Sequence, residues 1–119
     1  MLNLDTHILL HALNGDLTAK EEKRLEGELW GISAIVLWEI SKLSQLGRIE
    51  INVDDPDFID SLQSIHVWPI DLEICRQLKK LDFKSDPADE LIAATSIVYR
   101  IPLLTRDKKI LASKLIPFA

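Results

Sequence analysis

Four acidic residues stand where carboxylates can act together. Asp5 directly follows the apolar residues 1–4, and Asp107 closely follows the apolar residues 102–105. Glu39 lies one helical turn from Val36 and Leu43 and adjoins Ile40, on the flank of an apolar helix face. Asp89 is the third residue of a helix opened by Asp86-Pro87, one turn before Ile92 and Ala93. No His or Cys is spaced to act as nucleophile or base beside them. Several carboxylates without such a partner point to hard cations: Mg²⁺ or Mn²⁺ takes oxygen ligands and stabilises both the attacking and the leaving oxygen of a phosphodiester. The chemistry implied is metal-dependent phosphodiester hydrolysis.

That chemistry needs the acids on one edge of one scaffold. Residues 7–13 read as a helix. Thr18-Ala-Lys-Glu21 is a capping-box signature opening a second helix over residues 19–29. Residues 32–34 form a short strand, and helical spacing of Val36, Leu37, Ile40, Leu43 and Leu46 predicts a helix over 33–46, stopped by Gly47. Asp54-Asp55-Pro56 opens a short helix. Residues 65–70 form a strand that Pro69 confines to an edge, and residues 72–81 a helix. The helix from Asp86-Pro87 runs to about residue 99. A strand over 102–105, a short helix, and a last strand over 115–118 complete the chain. Short apolar strands alternating with amphipathic helices predict one α/β domain over residues 1–119, with helices on both faces of a parallel, short-stranded sheet. Such sheets bind ligands at the carboxyl ends of their strands, where Asp5 and Asp107 fall.

Each acid also has a purely structural role open to it. Asp86 followed by Pro is what a helix start requires, so it reads as an N-cap whose removal costs roughly 0.5–2 kcal/mol. Asp89 also suits a capping box, Asp107 the cap of the last helix, Asp5 a turn, and Glu39 an ion pair with Lys42. His7 and His11 have i,i+4 spacing but no third zinc ligand in register. His66 reads as structural and Cys75 as a packed small hydrophobe. Trp30, Trp38 and Trp68 read as core or interface aromatics rather than base platforms. The cluster Arg106, Lys108 and Lys109 is either a solvated face or a set of RNA contacts.

Fourteen bases against 19 acids give a net charge of −5, unevenly divided. Residues 1–60 hold 12 acids and 5 bases (−7), residues 61–119 hold 7 acids and 9 bases (+2). Phosphate contacts therefore belong to the later segment, and a simple polyanion binder is disfavoured. The uncharged run over 29–38 falls short of the ~20 residues a membrane span needs. A lone Cys excludes an internal disulfide, and Asp5 so soon after Met1 reads against an export signal, which together predict a cytoplasmic protein.

Four segments in this order resemble the PIN-domain nucleases, and within them the VapC-type toxins of toxin–antitoxin pairs. They are Leu4-Asp5-Thr6-His7; Ser33-Ala34 with Leu37-Trp38-Glu39-Ile40 and Leu46-Gly47-Arg48-Ile49; Asp86-Pro87-Ala88-Asp89 with Ile92-Ala93-Ala94; and Pro102-Leu103-Leu104-Thr105-Arg106-Asp107. The resemblance implies a three-layer α/β/α fold with Asp5, Glu39, Asp89 and Asp107 as catalytic, metal-binding acids. It also implies Thr6 or Thr105 orienting a ligand or water, an RNA substrate, a homodimer and a neutralising antitoxin. The chain departs from the family pattern at Glu90, where Arg is frequent, at Lys84-Ser85, where His-Arg is frequent, and at Leu43, where Lys is frequent. These departures bear on substrate grip. They leave two rivals to a ribonuclease: a catalytically silent PIN fold that binds protein or RNA, and a receiver-like domain, which lacks its paired acids near the first strand.

Overall fold

The apolar run before Asp5 becomes the strand on which the chain is organised. In the computed structural model, which describes residues 1–119, it forms β1 (Leu2–Leu4), and all three residues are buried. Successive strand side chains face opposite sides, so this burial means that both faces of the sheet are covered, as a parallel sheet requires. The remaining elements are α1 (Thr6–Asn14), α2 (Ala19–Leu25), β2 (Trp30–Ser33), α3 (Ala34–Gln45), α4 (Pro56–Leu62), β3 (His66–Trp68), α5 (Leu72–Leu78), α6 (Pro87–Tyr99), β4 (Leu103–Leu104) and α7 (Lys108–Leu111). The four strands pair in parallel in the order β3-β2-β1-β4. The chain thus steps outward from β1 to β3 and then returns to the other side of β1. That reversal places a topological switch point between β1 and β4, where open α/β sheets bind ligands.

The core is one cluster in which Leu4, Ile8, Ile32, Val36, Ile40, Ile92 and Leu103 meet from strands and helices alike. α6 packs on β1 and β2 as well as on α3 and α5. Its Ala93 and Ala94 are fully buried, and their small side chains permit that approach. Asn3, in the middle of the core, donates from Nδ2 to the Ile92 carbonyl at 3.1 Å and to Ser96 Oγ at 2.9 Å. This pair of bonds ties β1 to α6 across the sheet.

Several boundaries differ from expectation. The second helix ends at Leu25 rather than residue 29, because Glu26 is extended and Gly27 takes φ +73°. The second strand begins at Trp30, drawn back by the pairing of Trp30 with Leu2. The strand expected over 65–70 is limited to His66–Trp68 at the sheet edge, before Pro69, and α5 stops at Leu78. The strand expected over 115–118 is only a bridge between Phe118 and Leu103, since Pro117 has no N–H to extend a ladder. Thr18 and Glu21 form the expected capping box of α2.

One contact in this frame is unusually tight. Gly31 on β2 faces the buried Trp68 ring, and a Cβ there would lie 2.4 Å from the ring. Trp68 itself stacks on Tyr99, centroids 6.0 Å apart, and meets His66 edge to face at 4.9 Å, so it has little room to retreat. We expect Gly31→Ala to cost about 1–3 kcal/mol in denaturant unfolding, the usual penalty of overpacking. In a Trp68→Leu background most of that penalty should vanish; an unchanged penalty there would assign the effect to something other than the ring.

Candidate active site

Asp5 leaves the carboxyl end of β1 and caps α1. Its Oδ1 accepts the Ile8 N–H at 2.9 Å, and its Oδ2 accepts the Thr105 hydroxyl from the segment after β4. The residue is 4% exposed, so both oxygens are satisfied inside the protein. Thr105 Oγ1 in turn accepts the Asp107 N–H at 3.0 Å. A single hydroxyl thus bridges the switch point, joining the ends of β1 and β4.

Thr6, the first residue of α1, donates its hydroxyl to Glu39 Oε1 on α3. Glu39 is half-buried, and its partner is this threonine; the ion pair with Lys42 is not formed. Asp89 sits in the first turn of α6, where the Ser85 hydroxyl donates to its Oδ2 at 2.8 Å. Asp107 does cap α7: its Oδ1 accepts from the N–H groups of Lys109 at 2.8 Å and Ile110 at 3.1 Å. Three of the four acids therefore carry structural hydrogen bonds through one oxygen only. The other oxygen of Glu39, Asp89 and Asp107 has no protein partner and meets solvent.

Electrostatics join these groups. Burial pushes the Glu39 carboxyl above its ordinary pKa, and the charges of Asp89 and Asp5 add to the shift, opposed by the Thr6 hydrogen bond and His7. Burial likewise raises Asp89, helped by Asp107, Asp86 and Asp5 and opposed by Ser85. Glu39 and Asp89 thus lie in the field of their acidic neighbours, which disfavours their charged forms. As they stand, no three acidic, imidazole or thiol side chains close to ion-holding distance. The hydroxyls of Thr6, Thr105 and Ser85 hold the carboxylates instead. An all-oxygen set under mutual repulsion, with three oxygens still open, fits a hard divalent cation once those side chains turn inward.

Other expectations meet different outcomes. Asp86 occupies the N-cap of α6 but its side chain makes no capping bond, so the stability cost expected from its loss falls away. Arg106 is not a free cation: it grips Glu21 through two bonds, Nε to Oε2 at 2.7 Å and Nη2 to Oε1 at 2.6 Å. Its Nη1 meets His11 Nε2 at 3.0 Å, and His11 Nδ1 meets Asp16 at 2.7 Å. Arg106 thereby fastens α1 and α2 beside the switch point. Lys108 and Lys109 are exposed at the α7 start. Cys75 is exposed rather than packed, because its neighbour Ile74 takes the buried side of α5. Trp68 belongs to the core and Trp30 to its margin, whereas Trp38 is 59% exposed and is not a core aromatic. Ser85, Asn3 and Glu21, which hold the acids and their elements in place, were not singled out for these roles in sequence. Only Ser85 carries a signal, standing four residues before Asp89.

A family model described as "PIN domain" matches residues 3–114. The VapBC2 complex from Rickettsia felis bound to a DNA fragment from its promoter contains a similar chain, with TM-score 0.76 and 19% identity over 100% of this chain and 98% of that one. A toxin–antitoxin complex from Klebsiella pneumoniae gives TM-score 0.71 and 20% identity over 94% and 91%. FitAcB from Neisseria gonorrhoeae gives 0.68 and 19% over 100% and 97%. Comparison with curated protein sequences finds no match. No helix is long and apolar enough to cross a membrane.

Two outcomes follow from the charges. Because the folded Asp89 carboxyl is harder to ionise than the unfolded one, cation-free stability is fullest below the ordinary value of 3.8 and falls as pH rises through the raised folded value. Asp89→Asn should flatten that fall and melt at or above wild type in EDTA at pH 7; a lower melting temperature would mean that Asp89 is a stabilising cap. The Arg106 clamp has the opposite sign. It lowers the Glu21 pKa from 4.5 to about 2, so its stability is present above pH 4.5 and is lost as pH falls towards 2. Melting of Glu21→Gln should lose this part of the acid dependence; an acid limb identical to wild type would show that other groups carry it.

Proposed function

Because the chain belongs to the PIN-domain family, we propose that it is the nuclease toxin of a toxin–antitoxin pair, an endoribonuclease that hydrolyses RNA phosphodiester bonds with Mg²⁺ or Mn²⁺. What supports this reading is that Asp5 and Asp107 are joined through Thr105 at the switch point, while burial and the charge of neighbouring acids raise Glu39 and Asp89. The solved structures of similar fold are toxin–antitoxin complexes, which supports the biological setting.

In this reading Asp5, Asp89, Asp107 and Glu39 hold the cation. When bound, it neutralises charge at the phosphate and raises the acidity of an attacking water. Asp5 contributes a fixed anchor, because its two hydrogen bonds and burial leave its carboxylate one orientation. Glu39 keeps one oxygen on the Thr6 hydroxyl and leaves the other free for the cation or its water. Thr105 and Thr6 orient Asp5 and Glu39 through their hydroxyls. Lys108 and Lys109 are exposed cations available to RNA phosphate, whereas Arg106 would have to leave Glu21 to join them.

An acidic pocket also attracts guanidinium, since the bidentate Arg–carboxylate pair is strong. The neutralising antitoxin is therefore proposed to place an Arg near Asp5 and Asp89. Association of the toxin as a homodimer in the cytoplasm completes this reading. A silent binding module is the rival, favoured by the hydroxyls that occupy carboxylate oxygens in this arrangement.

The full chain incubated with mixed RNA decides between them. We expect cleavage with Mn²⁺ or Mg²⁺, none with EDTA, and a loss of at least 100-fold in Asp5→Asn, the scale of a lost electrostatic catalytic group. Mn²⁺ should raise the wild-type melting temperature at pH 7 and leave Asp89→Asn unmoved. Cleavage that persists in EDTA or in Asp5→Asn would remove the metal-carboxylate mechanism, and binding without cleavage would favour the module.

A further inference from the structure

Beside the carboxylates lies a cavity of about 340 Å³ lined by Ile35, Trp38, Glu39, Asp86, Pro87 and Ala88. It opens between α3 and the start of α6, and its size falls within the range of small-ligand clefts. Two of its residues have no structural role that explains them. Trp38 leaves more than half of its surface in water on a helix whose other large apolar residues, Ile35, Val36, Leu37, Ile40 and Leu43, pack in or against the core. Asp86 stands at an N-cap, yet its carboxylate bonds to none of the helix N–H groups it could satisfy. A wide aromatic plate and an uncommitted acceptor thus share one cleft. The third functional wall is Glu39, which belongs to the carboxylate group as well.

We propose that this cavity is a nucleobase subsite, in which Trp38 stacks on the base next to the cleaved phosphate and Asp86 selects a base edge rich in N–H donors. The inference rests on the nuclease reading, and Glu39 supplies the continuity: whatever fills the cavity adjoins whatever sits at the acids. A carboxylate only accepts hydrogen bonds and has two oxygens to do so. Guanine presents N1–H and the N2 amino group side by side on its Watson–Crick edge. Uracil offers one N–H flanked by two carbonyls, which a carboxylate repels. Cytosine and adenine offer one amino group beside an unprotonated ring nitrogen. The wall therefore favours guanine, read as single-stranded RNA is read, by stacking and by the exposed base edge. An Arg from a protein partner also satisfies a carboxylate and an indole face, and the sedimentation arm of the test separates that occupant from a base.

The test uses the full chain and fluorescein-labelled heptaribonucleotides that differ only in one central guanine or uracil. Binding is read by anisotropy both in EDTA and with Ca²⁺, a hard oxygen-liganded cation that offsets the acids, and cleavage by end-labelled mapping with Mn²⁺. We expect wild type to prefer the guanine oligonucleotide and Trp38→Ala to lose about tenfold in affinity for both, within the range of one lost base stack. Trp38→Phe should recover most of that loss, and Asp86→Asn should erase the guanine preference. Melting temperatures of the three variants confirm that each is folded. Guanine-preferring binding that depends on Trp38, without any cleavage, would uphold the subsite and overturn hydrolysis. Cleavage at unchanged sites and rates in Trp38→Ala would overturn the subsite and leave hydrolysis standing. No oligonucleotide binding by wild type, or a Trp38→Ala change seen only in the sedimentation of the chain with itself or a protein partner, would overturn the subsite and place Trp38 in a protein contact.

Discussion

A buried carboxylate at the end of a central strand is the constraint that the surrounding structure satisfies. Asp5 sits at the end of β1, beside the parallel strand β4, and an unpaired charge in that buried position would be costly. The chain resolves it by making the same residue the cap of α1 and the acceptor of the Thr105 hydroxyl. Those two bonds fix the first turn of one helix and the segment after β4 relative to each other. Thr6 then reaches Glu39 from the helix Asp5 starts, and Asp107 hangs from the same Thr105. The acidic site is therefore a consequence of how one strand end is satisfied, and it would lose its shape with that bond set.

Stability and chemistry pull against each other here. Burial and mutual repulsion raise the cost of charging Glu39 and Asp89, and threonine and serine hydroxyls offset part of it. The elements that carry these acids are tightly packed. The fully buried Ala93 and Ala94 let α6 lie close to the sheet, and Asn3 pins the helix to β1, so Asp89 is delivered by a rigid element. Asn3 Oδ1 has no partner in the core, a polar defect tolerated where the sheet and α6 are joined. Rigid elements carrying strained charges are the arrangement in which binding a cation changes energy more than shape.

The basic and aromatic residues near the acids divide into those that hold the frame and those left open. Arg106 is beside Asp107 in the chain yet acts as a brace, its guanidinium gripping Glu21, whose side chain is only 12% exposed. Arginine suits this because its planar fork matches a carboxylate in two places. Trp68 is equally committed, wedged against Gly31 and stacked on Tyr99. Trp38 and Asp86 are the uncommitted pair, and both face the same cleft.

The sequence by itself determined the alternation of short apolar strands with helices, the capping box at Thr18 and Glu21, and the placement of Asp5 and Asp107 after strands. These features are local: periodicity, caps and turns are set by residues a few positions apart. It also marked Glu39 and Asp89 as acids beside apolar helix faces, because helical spacing fixes which residues neighbour one another. Only the tertiary structure decided that β4 returns to the far side of β1, which is what brings Thr105 across to Asp5 over a separation of 100 residues. It likewise decided that Arg106 pairs with Glu21, that Asp86 leaves its cap unmade, and that Trp38 and Cys75 stay in water. Strand order and side-chain partners depend on contacts between segments far apart in the chain, and no local pattern encodes which distant hydroxyl or carboxylate a side chain will meet.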